Sequence, residues 1–239
     1  MKHTISILTL FLFFTACEKD DVSDSSAKLL SKVTVDNKIH ESFEYNEKGQ
    51  LIKQNYFGMC TTNPQDEYTY TYRDNRLDNI KSVTRGLFSS HTSMCDPTKG
   101  VQFIQSFTYN NNGRISTITS TNSVVQFIYN QAGFIERKVI TGGTNPQTYH
   151  YTYDSRGNVI KEIDPQGNIQ QYEYDSKINP LYRNKIHAGV STPYTMSPNN
   201  VIKGTGTSGS FVRKFQYNLF GLPSSVLEDN GLTYVYTYE

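Results

Sequence analysis

His40, His91, His150 and His187 carry the most obvious ligating chemistry in the body of the chain, and no two stand at the His-x-x-x-His spacing that pairs imidazoles on one helix face. No Cys-x-x-Cys accompanies them, so the spacing predicts no metal site and no cofactor. The run GTGTSGS, Gly204 to Ser210, is rich in glycine but lacks the Lys-Ser/Thr of a phosphate loop and any following helical pattern, so it reads as a flexible loop. Asp74 with Asp78 and Glu162 with Asp164 are carboxylates close enough in sequence to share acid–base work if a cleft gathered them. Both pairs fall on predicted hairpin strands or turns, where a solvated charge is the ordinary role. No catalytic residue is predicted.

Cys60 and Cys95 lie in loops flanking one predicted hairpin, at similar distances from its turn between Tyr72 and Leu77. They can meet at its open end, and an exported chain would oxidise them. The expectation is a disulfide, with two free thiols as the alternative. The remaining conspicuous side chains are aromatic: 18 Tyr and 13 Phe against no Trp. Tyrosine favours both strands and interfaces, so each ring must be assigned to packing or to contact. Rings between the strands (Tyr56, Phe57, Phe88, Tyr182 and Tyr194) are the binding candidates, because loops on a rigid sheet are where recognition usually sits.

The elements that position these residues repeat. FEYNEKGQL from Phe43, FTYNNNGRI from Phe107, FIYNQAGFI from Phe127, YTYDSRGNV from Tyr151 and FQYNLFGLP from Phe215 share one pattern: aromatic, any, Tyr, Asn or Asp, two variable residues, then Gly. Alternation puts the two rings on one strand face. Asn or Asp opens a type I turn by bonding backbone amides, and Gly49, Gly113, Gly133, Gly157 and Gly221 close it in the left-handed conformation. That register sets Tyr45 against Leu51, Tyr109 against Ile115, Tyr129 against Ile135 and Tyr153 against Val159. The copy at Tyr70 lacks the glycine, and Asp74-Asn75 would form a two-residue turn facing Tyr72 with Leu77. The copy at Tyr172 has Ile178 and Asn179-Pro180 where the turn should close, which predicts a different turn or a break. Rings inside the repeats, from Phe43 and Tyr45 to Phe215 and Tyr217, are assigned to packing. Inserted loops are expected near residues 56–65, 88–100 and 184–209. No stretch after the N-terminal segment has a sustained helical period. The fold class is all-β: consecutive antiparallel hairpins in one long twisted or curling sheet.

The N-terminus follows different rules. Lys2 and His3 precede an apolar run from Ile5 to Phe14, then Thr15 and Ala16 precede Cys17. The run is too short to span a bilayer and has the form of a secretory signal. A small residue directly before Cys resembles the bacterial lipobox, which implies removal of 1–16 and lipidation of Cys17; an ordinary secretory peptide is the alternative. Residues 17–28 are acidic and almost without apolar side chains, a flexible tether before a domain at 29–239. Lys19-Asp20-Asp21 also resembles the export signal of surface lipoproteins of Bacteroidetes.

The motif of Tyr151 to Val159 resembles the YD repeat of RHS-type cell-surface proteins, and the resemblance extends over most of the chain from about Phe43. Large members wind such hairpins into a spiralling shell that can enclose a toxin. This chain has few copies and is more similar to the short RHS-repeat lipoproteins of Bacteroidetes. What this implies is an outer-membrane, lipid-anchored protein, on the cell surface or facing the periplasm. Its role would be a non-catalytic binding or structural module for a glycan or an envelope protein. A hydrolase acting on surface polysaccharide and a shell fragment of a larger delivery system are the alternatives. A net charge of +1 with interspersed signs gives no nucleic-acid footprint.

Overall fold

The computed structural model describes residues 28–58, 60–85, 94–183, 192–207 and 209–239. The expected signal segment, Cys17 and Phe88 lie outside them. Sixteen antiparallel strands follow one another, each pairing with its neighbours in sequence. They are β1 (Leu30–Val35), β2 (Lys38–Tyr45), β3 (Leu51–Tyr56), β4 (Asp66–Arg73), β5 (Arg76–Thr84), β6 (Val101–Tyr109), β7 (Ile115–Thr119) and β8 (Val124–Tyr129). The second half comprises β9 (Ile135–Thr141), β10 (Gln147–Tyr153), β11 (Val159–Ile163), β12 (Ile169–Ile178), β13 (Asn199–Gly206), β14 (Gly209–Tyr217), β15 (Pro223–Glu228) and β16 (Thr233–Tyr238). Two single-turn helices, α1 (Pro180–Arg183) and α2 (Pro193–Met196), stand between β12 and β13.

The sheet is neither open nor merely curling. β1 pairs with β16, Leu30 opposite Tyr238 and Val35 opposite Tyr234, which closes a barrel. Sequence reasoning missed this because LSKVTV in β1 carries no copy of the motif; its role is to be the last strand's partner. The hairpin registers are those the repeat dictates: Tyr45 faces Leu51, Tyr72 faces Leu77, Tyr109 faces Ile115, Tyr129 faces Ile135 and Tyr153 faces Val159. The Asp154 side chain accepts from the amides of Arg156 and Asn158 at 2.9 and 2.8 Å, and Gly157 sits at φ +88°. Asp74 and Asn75 both have positive φ, the two-residue turn that the shortened copy requires. Asp36-Asn37 makes the same turn between β1 and β2. At Tyr172 the pattern does break: β12 runs on to Ile178, and α1 and α2 come before β13 begins at Asn199.

One bond repeats around the ring. The hydroxyl of each second tyrosine donates to the backbone carbonyl of the residue that faces the preceding copy's tyrosine. Tyr72 reaches Leu51, Tyr109 reaches Leu77, Tyr129 reaches Ile115, Tyr153 reaches Ile135 and Tyr174 reaches Val159, all at 2.6–2.8 Å. Tyr238 reaches Pro223 at 2.8 Å, and across the seam Tyr45 reaches Leu30 at 2.8 Å. Tyr217 departs from the series and donates to the Asp175 carboxylate. That is the point where the insertion before β13 interrupts the repeat. These hydroxyls stay protonated donors, since burial pushes the Tyr72 and Tyr129 groups up to about 12.

The ring-bearing face points inward. Phe43, Tyr70, Phe107, Phe127 and Tyr151 are buried, with Leu30, Leu51, Leu77, Ile80 and Val159 beside them. The opposite face is mixed: the polar row Thr152, Lys161, Gln171, Thr205 and Ser210 crosses five adjacent strands on the outside, and Ile104, Val124, Val212, Leu227 and Val235 are exposed there singly. A barrel seated in hydrocarbon needs the reverse pattern, an apolar band facing outward.

Candidate binding surface inside the barrel

Both ends of the barrel can be assigned from the connections. One end carries the Asx-glycine turns of the repeat copies, and there Leu29 and Glu239 exchange backbone hydrogen bonds of 2.8 and 3.0 Å. Residues 179–183 and 192–198 fold back at this end and pack on the inner face. Leu181 joins the core, and the Ser197 hydroxyl accepts from the Val159 amide at 3.1 Å and donates to the Tyr174 hydroxyl at 2.9 Å. Asn158, fully buried, is locked to Asn199 by bonds of 3.0 Å in both directions. Between this segment and the wall lies an apolar cavity of about 320 Å3, bounded by Ile115, Phe127, Ile135, Tyr153, Tyr182 and Met196.

Towards the other end, the inward rows change character. Tyr151, Glu162, Gln170 and Gly206 face one another across β10 to β13, a single row on the inner face. The next row holds Tyr172, Gly204 and Phe211. Gly204 allows the Phe211 ring to lie against the strand, because a Cβ there would come within 2.2 Å of it. The Tyr172 hydroxyl donates to Glu162 at 3.1 Å. Glu162, Gln170, Tyr172 and Phe211 border a cleft of about 390 Å3. Glu162 was assigned above to a solvated hairpin strand; the register instead turns it inward, opposite a buried tyrosine.

The inner surface continues round the wall. Arg213 stacks on Tyr194 at 4.4 Å, lies 5.7 Å from the Phe211 ring and pairs with Glu228 at 2.6 Å. Beyond the seam, the bulged His40 meets Tyr56 and Tyr234 edge to face at 5.0 and 5.3 Å. Burial lowers the affinity of His40 for its proton, against the pull of Glu228. Burial likewise pushes the neighbouring Glu41 carboxyl above its ordinary range, and only the Gln54 amide, 3.4 Å away, opposes it. His40, Tyr56 and Tyr234 border a second opening of about 590 Å3 together with Met94 of the β5–β6 loop.

Of the aromatic candidates, Tyr56 and Tyr194 face the interior, and Tyr194 reaches Tyr172 and Phe211 at 6.4 and 6.1 Å. Tyr182 stands apart, exposed, at the rim of the apolar cavity. Phe57 begins the β3–β4 loop, its amide bonded to the His40 carbonyl at 2.8 Å. Cys60 and Cys95 form a disulfide with a Cα separation of 5.4 Å, tying that loop to the β5–β6 loop. Sequence reasoning overlooked Gln170, Phe211 and Arg213 and read Glu162 as a solvated charge. They lie on strands where the motif specifies little, and the available signal was a polar side chain at a position that should face the rings. Among the described residues no cluster of His, Cys, Asp or Glu can hold a metal ion.

With hairpins, turns and registers in place, the family can be stated. The Teneurin YD-shell family model matches residues 88–205. This chain belongs to the RHS/YD-repeat family. The YD barrel is also similar to a porin-like protein from Bacteroides uniformis, with 13% identity over 90% of this chain and 94% of that one, at a TM-score of 0.38. For a porin-like protein from Bacteroides vulgatus the values are 10%, 88%, 99% and 0.45. Against the Tc holotoxin pore of Photorhabdus luminescens the identity is 13% over 80% of this chain, at a TM-score of 0.34. The YD barrel spans 9% of that holotoxin chain. No curated protein matches it.

Proposed function

We propose that the YD barrel is a non-catalytic binding module of the cell envelope, held by a lipid on Cys17 and presenting a cup to ligands. The observation that carries this is the asymmetry of the barrel. One end is filled by the segment before β13, while the inner wall towards the other end is lined by tyrosines, carboxylates and amides. Leu29, the residue that would follow the tether, lies at the filled end and bonds to Glu239. Twelve residues from Cys17 to Lys28 reach at most about 40 Å when extended. An anchor there holds the filled end towards the membrane and turns the cup away from it. Rings packed inward and a polar row across the outer wall support attachment by lipid in preference to insertion by strands.

The reading is tested with a Cys17→Ser chain, which keeps every residue of the barrel, on an oligosaccharide array and in a pull-down from envelope extracts. Retention of a defined glycan or envelope protein is expected, without chemical change of the glycan. Clean negatives in both assays would overturn the binding role. Cleavage of a retained glycan would turn it into the hydrolase reading.

A further inference from the structure

The inner row at β10–β13 carries polar atoms that the protein itself leaves unused. Tyr151 is 5% exposed, and its hydroxyl has no hydrogen-bond partner, nor does the buried Oε1 of Gln170. Burying such atoms unpaired costs free energy, so two on one row, flanking Glu162, point to a ligand that supplies the missing bonds. The set wanted is one acceptor for the Tyr151 O–H and donors for Gln170 Oε1 and the Glu162 carboxylate. A ligand group that both donates and accepts meets all three, and a hydroxyl does so. An ammonium ligand fits poorly, because the nearby ring faces already hold the protein's own cations. Lys138 sits 4.2 Å over Tyr149 and 5.9 Å from Tyr151, and Arg213 covers Tyr194 at 4.4 Å. A carboxylate ligand would meet Glu162 at close range. The rings of Tyr172 and Phe211 supply the apolar wall against which C–H faces pack. Glu162, Gln170, Tyr172 and Phe211 border the cleft of about 390 Å3, within the usual range for small-molecule sites, and Tyr151 adjoins it as the cross-strand partner of Glu162.

We infer that Tyr151, Glu162 and Gln170, with Tyr172 and Phe211, form a subsite for a neutral saccharide. This rests on the binding-module reading and names its site and ligand class. Tyr151→Phe is the decisive variant, since it deletes an oxygen that holds nothing in the barrel and leaves the ring in place.

The Cys17→Ser chain is titrated calorimetrically with neutral hexamers (maltohexaose, cellohexaose, xylohexaose, laminarihexaose), with trigalacturonate and with chitosan hexamer. Neutral sugars are expected to bind. Tyr151→Phe should weaken the best of them about fivefold to tenfold, with thermal stability kept or raised. Gln170→Ala should weaken it comparably. Neutral binding unchanged in both variants would overturn this subsite while leaving the binding module intact. Binding confined to trigalacturonate or the chitosan hexamer would overturn the ligand class. Binding of none, with an empty oligosaccharide array and pull-down, would overturn both readings.

Discussion

Tyr129 and Tyr151 belong to neighbouring copies of one repeat, yet their hydroxyls have opposite fates. Tyr129 closes a 2.6 Å bond to the Ile115 carbonyl, whereas the Tyr151 hydroxyl is buried without a partner. Tyr129→Phe should therefore cost about 0.5–1.5 kcal/mol. The melting temperature would drop by about 2–4 °C per kcal/mol. Tyr151→Phe should not lower it, and paired thermal melts check both. Glu41 gives a pH prediction. Burial raises its folded pKa, so its contribution is full below the unfolded value and declines as pH rises through the folded one. Glu41→Gln should stabilise the barrel at neutral pH and lose that advantage below about pH 4, as read from melts across pH. Asp164 has the opposite sign: the Asn168 side chain and nearby amides hold its pKa low, so its contribution is lost only as pH falls through that lowered value. At this scale the sequence discloses which rings pack, because aromatic-any-Tyr fixes their face. It does not disclose that the Tyr151 hydroxyl lacks a partner, since that depends on strands β11 and β12 coming from outside the motif.

Among the elements, the turns were the most legible part. Asn or Asp followed by Gly at the right distance leaves the backbone few choices, and every register read from those turns recurs in the barrel. The return strands were less so: Glu162 and Gln170 become site residues only once the counting from Tyr153–Val159 is carried past the hairpin into β12. The β11–β12 connection was also missed, although Asp164 accepts from the Gln166 and Asn168 amides and Gly167 has φ +84°. Between the β3–β4 and β5–β6 loops, the Cys60–Cys95 disulfide closes a span of 35 residues. Loop-entropy arguments give it about 3–4 kcal/mol. Reduction, or Cys60→Ser with Cys95→Ser, should lower the melting temperature by several degrees. Ligand affinity at the Tyr151 row should not change, because Cys60 lies in a different part of the wall. A melt unchanged on reduction, with both thiols then alkylated, would contradict the first expectation.

For the whole molecule, the sequence specified a sheet of hairpins but not its closure. Twist and curvature accumulate over many strands, and whether the ends meet depends on a β1 strand with no repeat signature. The ring is nevertheless consistent at the seam: Tyr45 reaches Leu30 by the same bond that links every regular neighbour, with Leu30 standing where a return strand's first residue would stand. A cup exists only if that seam holds. The most direct test pairs cysteines at Thr34 and Val235, which face each other across β1 and β16 on the outer wall, in a Cys17→Ser chain. Mild oxidation followed by peptide mapping should find the Thr34→Cys and Val235→Cys positions joined within one monomeric chain. Free thiols at both positions, or crosslinks only between chains, would contradict the closed barrel.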